Sequence, residues 1–227
     1  MKNLLELFLN NSKYIILVLG IVVGTPLLWA RRDRVGFKSF AGALGTCFLF
    51  CLYSLIGAIG LAAIEDIILG RTPSFGATYL SGVYLITPFF LFGTAKLFKW
   101  KSSAIFDLYT VYAIPAMFLM RCNCLIAGCC IGRPFFSTGL RWPTREMELI
   151  FYVIMFVIIL RREKQAREGT AFPLLMICYG LFRFVIEWVR ESDITSLIHP
   201  AHVWALLTAV IGAAFYFELN RKRGKKH

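Results

Sequence analysis

Apolar residues in this chain gather into blocks long enough to cross a bilayer, and short runs of Lys and Arg stand between them. A membrane crossing needs about 20 consecutive, mostly apolar residues, and this chain offers several such stretches. The blocks account for a composition of 58% hydrophobic and 17% charged residues. A soluble domain holds about 45–50% apolar and about a quarter charged residues. A water-soluble globular enzyme is therefore excluded, and so is a disordered chain. The expected fold class is all-α, a polytopic membrane protein.

Hydropathy places seven helices at roughly 14–30, 40–64, 78–98, 104–128, 147–160, 170–189 and 201–217. The fifth is short and borrows residues from the polar stretch 145–161. The first block lacks a basic N-region followed by a small-residue cleavage site, so it is read as a retained helix. The expectation is a single transmembrane domain over residues 1–227, with a basic tail at 218–227. No transporter-type repeat is visible, and seven spans do not divide into equal halves.

The net charge of +12 invites a nucleic-acid reading, but its placement argues for lipid. One alternating set of loops carries sixteen Lys and Arg, at 31, 32, 34, 38, 96, 99, 101, 161, 162, 164, 167, 221, 222, 223, 225 and 226. The other set carries eight, at 2, 13, 71, 121, 133, 141, 145 and 190, and Arg183 lies inside a span. Positive loops stay in the cytoplasm, where they also face anionic lipid. The N-terminus is thus expected outside and the C-terminus inside, with the polar segments 121–146 and 190–200 facing outward. No nucleic-acid partner is expected.

Helix six holds Tyr179, Arg183 and Glu187 at intervals of four, so they share one stripe. A charge inside a span costs about 2.5–3.5 kcal/mol on insertion scales. Two readings fit: a structural pair in which Arg183 and Glu187 neutralise each other, or an anion site built on the planar guanidinium. By the orientation above, the stripe lies at phospholipid headgroup depth in the outer leaflet.

Helix four runs into Arg121-Cys122-Asn123-Cys124, then Gly128-Cys129-Cys130-Ile131-Gly132-Arg133. Gly128 and Gly132 allow close backbone approach, and Arg121 and Arg133 bracket them as a candidate phosphate cradle. An interfacial turn with snorkelling arginines is the alternative. The C-x-C-x4-C-C spacing matches neither thioredoxin-type nor zinc-knuckle patterns. Structural disulfide or packing, redox exchange, and a thiolate such as Cys124 or Cys129 activated by flanking arginines all remain open. Cys47, Cys51 and Cys178 lie within spans and read as packing. His199 and His202 flank Pro200 on the outer side and are candidates for a general base or a ligand contact. No metal or other cofactor is expected.

Taken together, these residues resemble the prolipoprotein diacylglyceryl transferases. The resemblance is carried by Asp107, Arg121, Gly128, Gly132 and Arg133, by the segment 142–148, and by Tyr179, Gly180, Arg183 and Glu187. It runs best from Asp107 to Glu187. The family is similar in being seven-pass with its N-terminus outside, and it moves diacylglyceryl from phosphatidylglycerol to a lipobox cysteine. The resemblance thus implies phosphatidylglycerol and a secreted prolipoprotein or other thiol acceptor as partners, at the outer face of a bacterial inner membrane. It also implies that Arg121, Arg183 and Glu187 are catalytic and that Tyr179, Gly128, Gly132 and Arg133 surround substrate. The chain departs from the family pattern at Cys124, where an Asn is usual, at Cys129, where a Glu is usual, and at 74–77, where a His is missing. His199 or His202 is the candidate base in place of the missing family groups, and His199 is also a candidate substrate contact. A membrane thiol–disulfide oxidoreductase, and a non-catalytic lipid-binding or transport protein, are the rival functions.

Overall fold

The computed structural model describes residues 2–73, 79–135, 139–163, 168–191 and 200–224, with side chains from 14 to 221 within those ranges. The helices are α1 (Lys2–Trp29), α2 (Phe40–Ile68), α3 (Leu80–Leu85), α4 (Thr87–Leu97), α5 (Ser102–Ala127), α6 (Thr144–Glu163), α7 (Ala171–Glu187) and α8 (Pro200–Gly224), with a 3-10 turn at Arg32–Arg34. Among the described residues no strand forms, and only two isolated bridges occur, Gly132 with Arg190 and Pro134 with Arg141. The all-α expectation holds. Among the described residues, four stretches are long and apolar enough to cross a membrane: Phe40–Ile68, Leu80–Leu97, Ser102–Ala127 and Pro200–Arg221.

The expected third span is divided. The helix is interrupted at Ile86, between α3 and α4, although Ile86 itself stays in the right-handed helical region: Pro88, at the start of α4, has no N–H to continue the i→i−4 ladder. The fifth expected span is longer than its apolar run, since α6 starts at Thr144 and ends at Glu163. The sixth is shorter: α7 has 17 residues, a rise of about 25 Å. These two are also the helices that carry buried Glu148, Arg183 and Glu187.

α5 occupies the centre and packs on α1, α2, α4, α6 and α7. Its residues from Ala104 to Ile114 are buried without interruption. Around it lies an aromatic core: Tyr109 meets Phe50 at 5.2 Å and Phe172 at 5.8 Å, and Tyr84 meets Tyr179 at 4.4 Å. The outside is apolar too, with Phe48, Ile67, Phe89, Leu97, Val185 and Phe217 exposed. Water would not tolerate so much apolar surface on a monomer, but lipid tails do. α7 and α8 approach closely through Gly180, Ala205 and Ala209, the small-residue contact that replaces the hydrophobic effect as glue in lipid.

Polar side chains form one layer at each end of this core. At one end, Asp107 accepts hydrogen bonds from the Gly169 N–H at 2.6 Å and the Ala171 N–H at 3.2 Å. It thereby satisfies orphan donors at the start of α7. Beside it Glu163 clamps Arg31 through 2.6 and 2.7 Å bonds and meets Arg34 at 3.0 Å. The other layer gathers around Arg121, fourteen residues along α5 and so about 21 Å away.

Replacing Asp107 by Ala leaves those N–H groups without an acceptor. The variant should lose about 1–2 kcal/mol of stability, the usual worth of a helix cap. Thermal unfolding in detergent should show the lower midpoint, and Asp107→Asn should recover part of it.

Candidate functional site

The layer around Arg121 is built by four segments: the last turns of α5 with the loop behind it, the start of α6, the last turns of α7, and residues 188–191. α5 ends at Gly128, whose φ of 68° gives the left-handed cap that glycine supplies without strain. Cys130 has a φ of 60°, which is uncommon for a residue with a side chain. Its surroundings hold it there. The Thr144 hydroxyl donates to the Cys130 carbonyl at 3.0 Å, which ties this loop to the first turn of α6. The next residues pair with the chain leaving α7, through Arg133 N–H to Val189 O at 2.8 Å and Glu191 N–H to Ile131 O at 3.0 Å. Gly132 lies against the Trp142 backbone, where a β-carbon would collide.

Glu148, one turn into α6, is the hub. Its Oε2 pairs with Arg121 Nε, and its Oε1 accepts from Arg183 Nη1 at 2.8 Å. Arg183 Nη2 meets Glu187 Oε2 at 2.6 Å, and Arg190 Nη1 stands 3.8 Å from that same oxygen. Arg121, Glu148, Arg183 and Glu187 are all buried. Charges so buried persist only when each is matched, since the desolvation cost is otherwise uncompensated. The match is incomplete by one: Arg121, Arg183 and Arg190 face two carboxylates.

Sulfur faces the excess cation. Arg190 Nη2 donates to Cys130 Sγ at 2.8 Å, and Arg121 Nη1 lies 3.8 Å from both Cys124 Sγ and Cys130 Sγ. Those two sulfurs are 3.9 Å apart, and with Cys129 they form a group whose sulfurs all lie within 4.8 Å of one another. All seven cysteines are free thiols. The Cys130 thiol is held well below the usual thiol range by its hydrogen bond with Cys124 and by the Arg190 and Arg121 charges, against the opposing effect of burial.

The sequence-derived candidates are distributed as follows. Tyr179, Arg183 and Glu187 face inward on one stripe of α7, and Arg121 joins them across Glu148. Cys124 and Cys129 join through their sulfurs. Gly128 and Gly132 shape the loop. The expected bracketing by Arg133 is corrected: Arg133 is exposed and its Nε donates to the Arg190 carbonyl at 3.0 Å. Once the chain leaves helical geometry at Gly128, a spacing of twelve no longer fixes which way a side chain turns, and Arg190 takes the inner place. His202 is 2% exposed and packs edge-on against Phe184 at 5.4 Å and Trp188 at 4.9 Å. His199 and the 74–77 segment lie outside the described residues.

Glu148, Arg190 and Cys130 are the members that spacing arguments did not single out. The signal for Glu148 was an acid at the head of an apolar run. A second buried acid, Glu65, accepts from Tyr79 at 2.7 Å and Trp204 at 2.5 Å, joining α2 to α8. Burial first, and then Glu65, push the Tyr79 phenol up to about 12.

With this geometry in view, comparison with known proteins decides the family. Residues 14–218 match the family model for prolipoprotein diacylglyceryl transferase. The chain belongs to that family. A phosphatidylglycerol–prolipoprotein diacylglyceryl transferase of Clostridium tetani is 26% identical over 142 residues, 55% of this chain and 57% of that protein. One from Clostridium perfringens is 24% identical over 144 residues, 56% of each chain. One from Streptococcus uberis is 30% identical over 94 residues, 40% of this chain and 36% of its own. The chain spans about half the length of the curated relatives it matches first.

Two outcomes follow from the geometry. Glu148→Gln removes the charge that two buried arginines share, and should cost about 3–5 kcal/mol, the usual penalty for breaking a buried pair. Chemical or thermal unfolding of the detergent-solubilised protein measures this. In reduced, chelator-treated protein, the thiolate of Cys130 should persist below the pH at which an ordinary cysteine is protonated. Its alkylation by iodoacetamide should therefore fall less steeply between pH 8 and 6 than that of an ordinary cysteine, which slows about 100-fold. Arg190→Ala should steepen that profile.

Proposed function

We propose that this chain transfers a diacylglyceryl group from phosphatidylglycerol to a thiol acceptor, such as the lipobox cysteine of a secreted prolipoprotein. The observation that carries the reading is the pairing of Arg121 and Arg183 on one buried carboxylate. Glu148 brings the two guanidinium groups onto one carboxylate, and each retains N–H bonds beyond those given to Glu148. Arginine forks match phosphate oxygens in pairs. The matched relatives are named for this donor and acceptor.

In the proposed reaction the acceptor thiolate attacks the glycerol carbon that bears the phosphate. The carbon–oxygen bond breaks, and its electron pair leaves with glycerol phosphate. The phosphate gains a full negative charge in this step. Fixed donors aimed at that charge in a dry site stabilise the transition state more than the ground state. Glu187 holds Arg183 from the other side, and Tyr179 supports it one turn below. In this reading the layer lies on the outer side of a bacterial inner membrane, in a single transmembrane domain with its C-terminus in the cytoplasm, and the Lys and Arg distribution supports it.

The test is mass spectrometry of a lipobox peptide incubated with protein reconstituted in phosphatidylglycerol. The wild type should add one diacylglyceryl group. Arg183→Ala should lower the rate by about 100- to 1000-fold, the loss seen when one oxyanion donor is removed. Unchanged turnover in Arg183→Ala would end the scheme.

A further inference from the structure

We propose that Cys124, Cys129 and Cys130 hold one zinc ion, whose fourth position receives the acceptor thiol. The metal site stands on geometry alone; the acceptor's role rests on the transferase reading above. The spacing C-x-C-x4-C-C gives metal binding little weight, because the loop that folds Cys129 and Cys130 back over Cys124 cannot be read from spacing.

The sulfur positions suit a metal better than a disulfide. Zinc binds thiolate at about 2.3 Å in a tetrahedron, which separates its sulfurs by about 3.8 Å. Cys124 and Cys130 sulfurs are 3.9 Å apart, and all three sulfurs lie within 4.8 Å. A disulfide would need two of them to close to about 2.05 Å. The backbone that sets this spacing is pinned from both sides, by Thr144 on the Cys130 carbonyl and by the pairing of 131–133 with 189–191.

The charges agree. Three thiolates and a dication, before the fourth ligand is counted, carry one negative charge. The surrounding set of Arg121, Arg183 and Arg190 with Glu148 and Glu187 carries one positive charge. Arg190, bonded to Cys130 Sγ at 2.8 Å, then serves as the outer partner that orients a ligand sulfur.

Three protein ligands leave a fourth position open, the pattern of a working site and not of a closed structural one. Cys129 is exposed, so an incoming peptide has access to this group, whereas Arg121 lies on its buried side, 3.8 Å from two of the sulfurs. An acceptor thiol that binds the ion displaces a bound hydroxide, which leaves as water with the thiol proton. The resulting thiolate sits beside the arginines proposed to hold the phosphate. When it attacks the glycerol carbon, the phosphate takes the bond's electrons, and the neutral thioether product is a weak ligand that leaves. No separate general base is needed.

The test uses the full chain in detergent, purified without a histidine tag. Zinc content should be near one per chain. Stripped, reduced protein titrated with cobalt(II) should show thiolate charge-transfer absorption and tetrahedral visible bands at one equivalent. Cys129→Ser, at an exposed position that folding tolerates, should weaken binding by about 100-fold, and Cys122→Ser should not. A lipobox peptide should shift the visible bands, and its Cys→Ser version should leave them alone. Arg183→Lys, which keeps the charge but loses the guanidinium fork, should bind cobalt like wild type while losing transfer, which separates this site from the transferase reading. Failure to bind, binding indifferent to Cys129→Ser, a labile disulfide between Cys124 and Cys130 in native membranes, or full transfer by metal-free protein would each overturn the proposal. Bands unmoved by the peptide would overturn the acceptor's role. Metal and peptide binding without any lipid product would uphold the site and sink the transferase reading.

Discussion

One carboxylate decides how three helices of this protein can meet. Glu148 on α6 takes Arg121 of α5 on one oxygen and Arg183 of α7 on the other. None of the three could sit at that depth alone, because each would be an uncompensated charge away from water. The helices can therefore pack only in the register that brings all three together. The loop chemistry is built on that register, since Cys124 is one turn from Arg121 and Cys130 is tied to the first residue of α6.

The same physics decided what could be read from the chain. Hydropathy depends on composition over a window, so the apolar helices were visible, and a four-residue spacing placed Tyr179, Arg183 and Glu187 on one stripe. The break at Ile86 was hidden inside an apolar run, although Pro88 marks it. Glu148 was hidden because an acid near a helix start is equally at home in headgroups, and nothing local says that two arginines point at it. Arg190 looked like one more loop charge. Its place depends on a short backbone pairing with 131–133, between residues nearly sixty positions apart, and no periodicity reports such a contact.

Arg133 shows the opposite failure. It stands in the family's motif spacing, yet the left-handed turns at Gly128 and Cys130 rotate the chain so that it faces out. Cys124 and Cys129, where the chain departs from the family pattern, end up side by side.

The two polar layers lie about 21 Å apart along α5, while an unperturbed hydrocarbon core is about 30 Å thick. Arg121, Glu148, Arg183 and Glu187 are buried inside the bundle, so the surrounding lipid meets exposed apolar side chains such as Phe48, Phe89 and Phe217 and not these charges. The ion pairs can thus lie at hydrocarbon depth while the bilayer keeps its ordinary thickness.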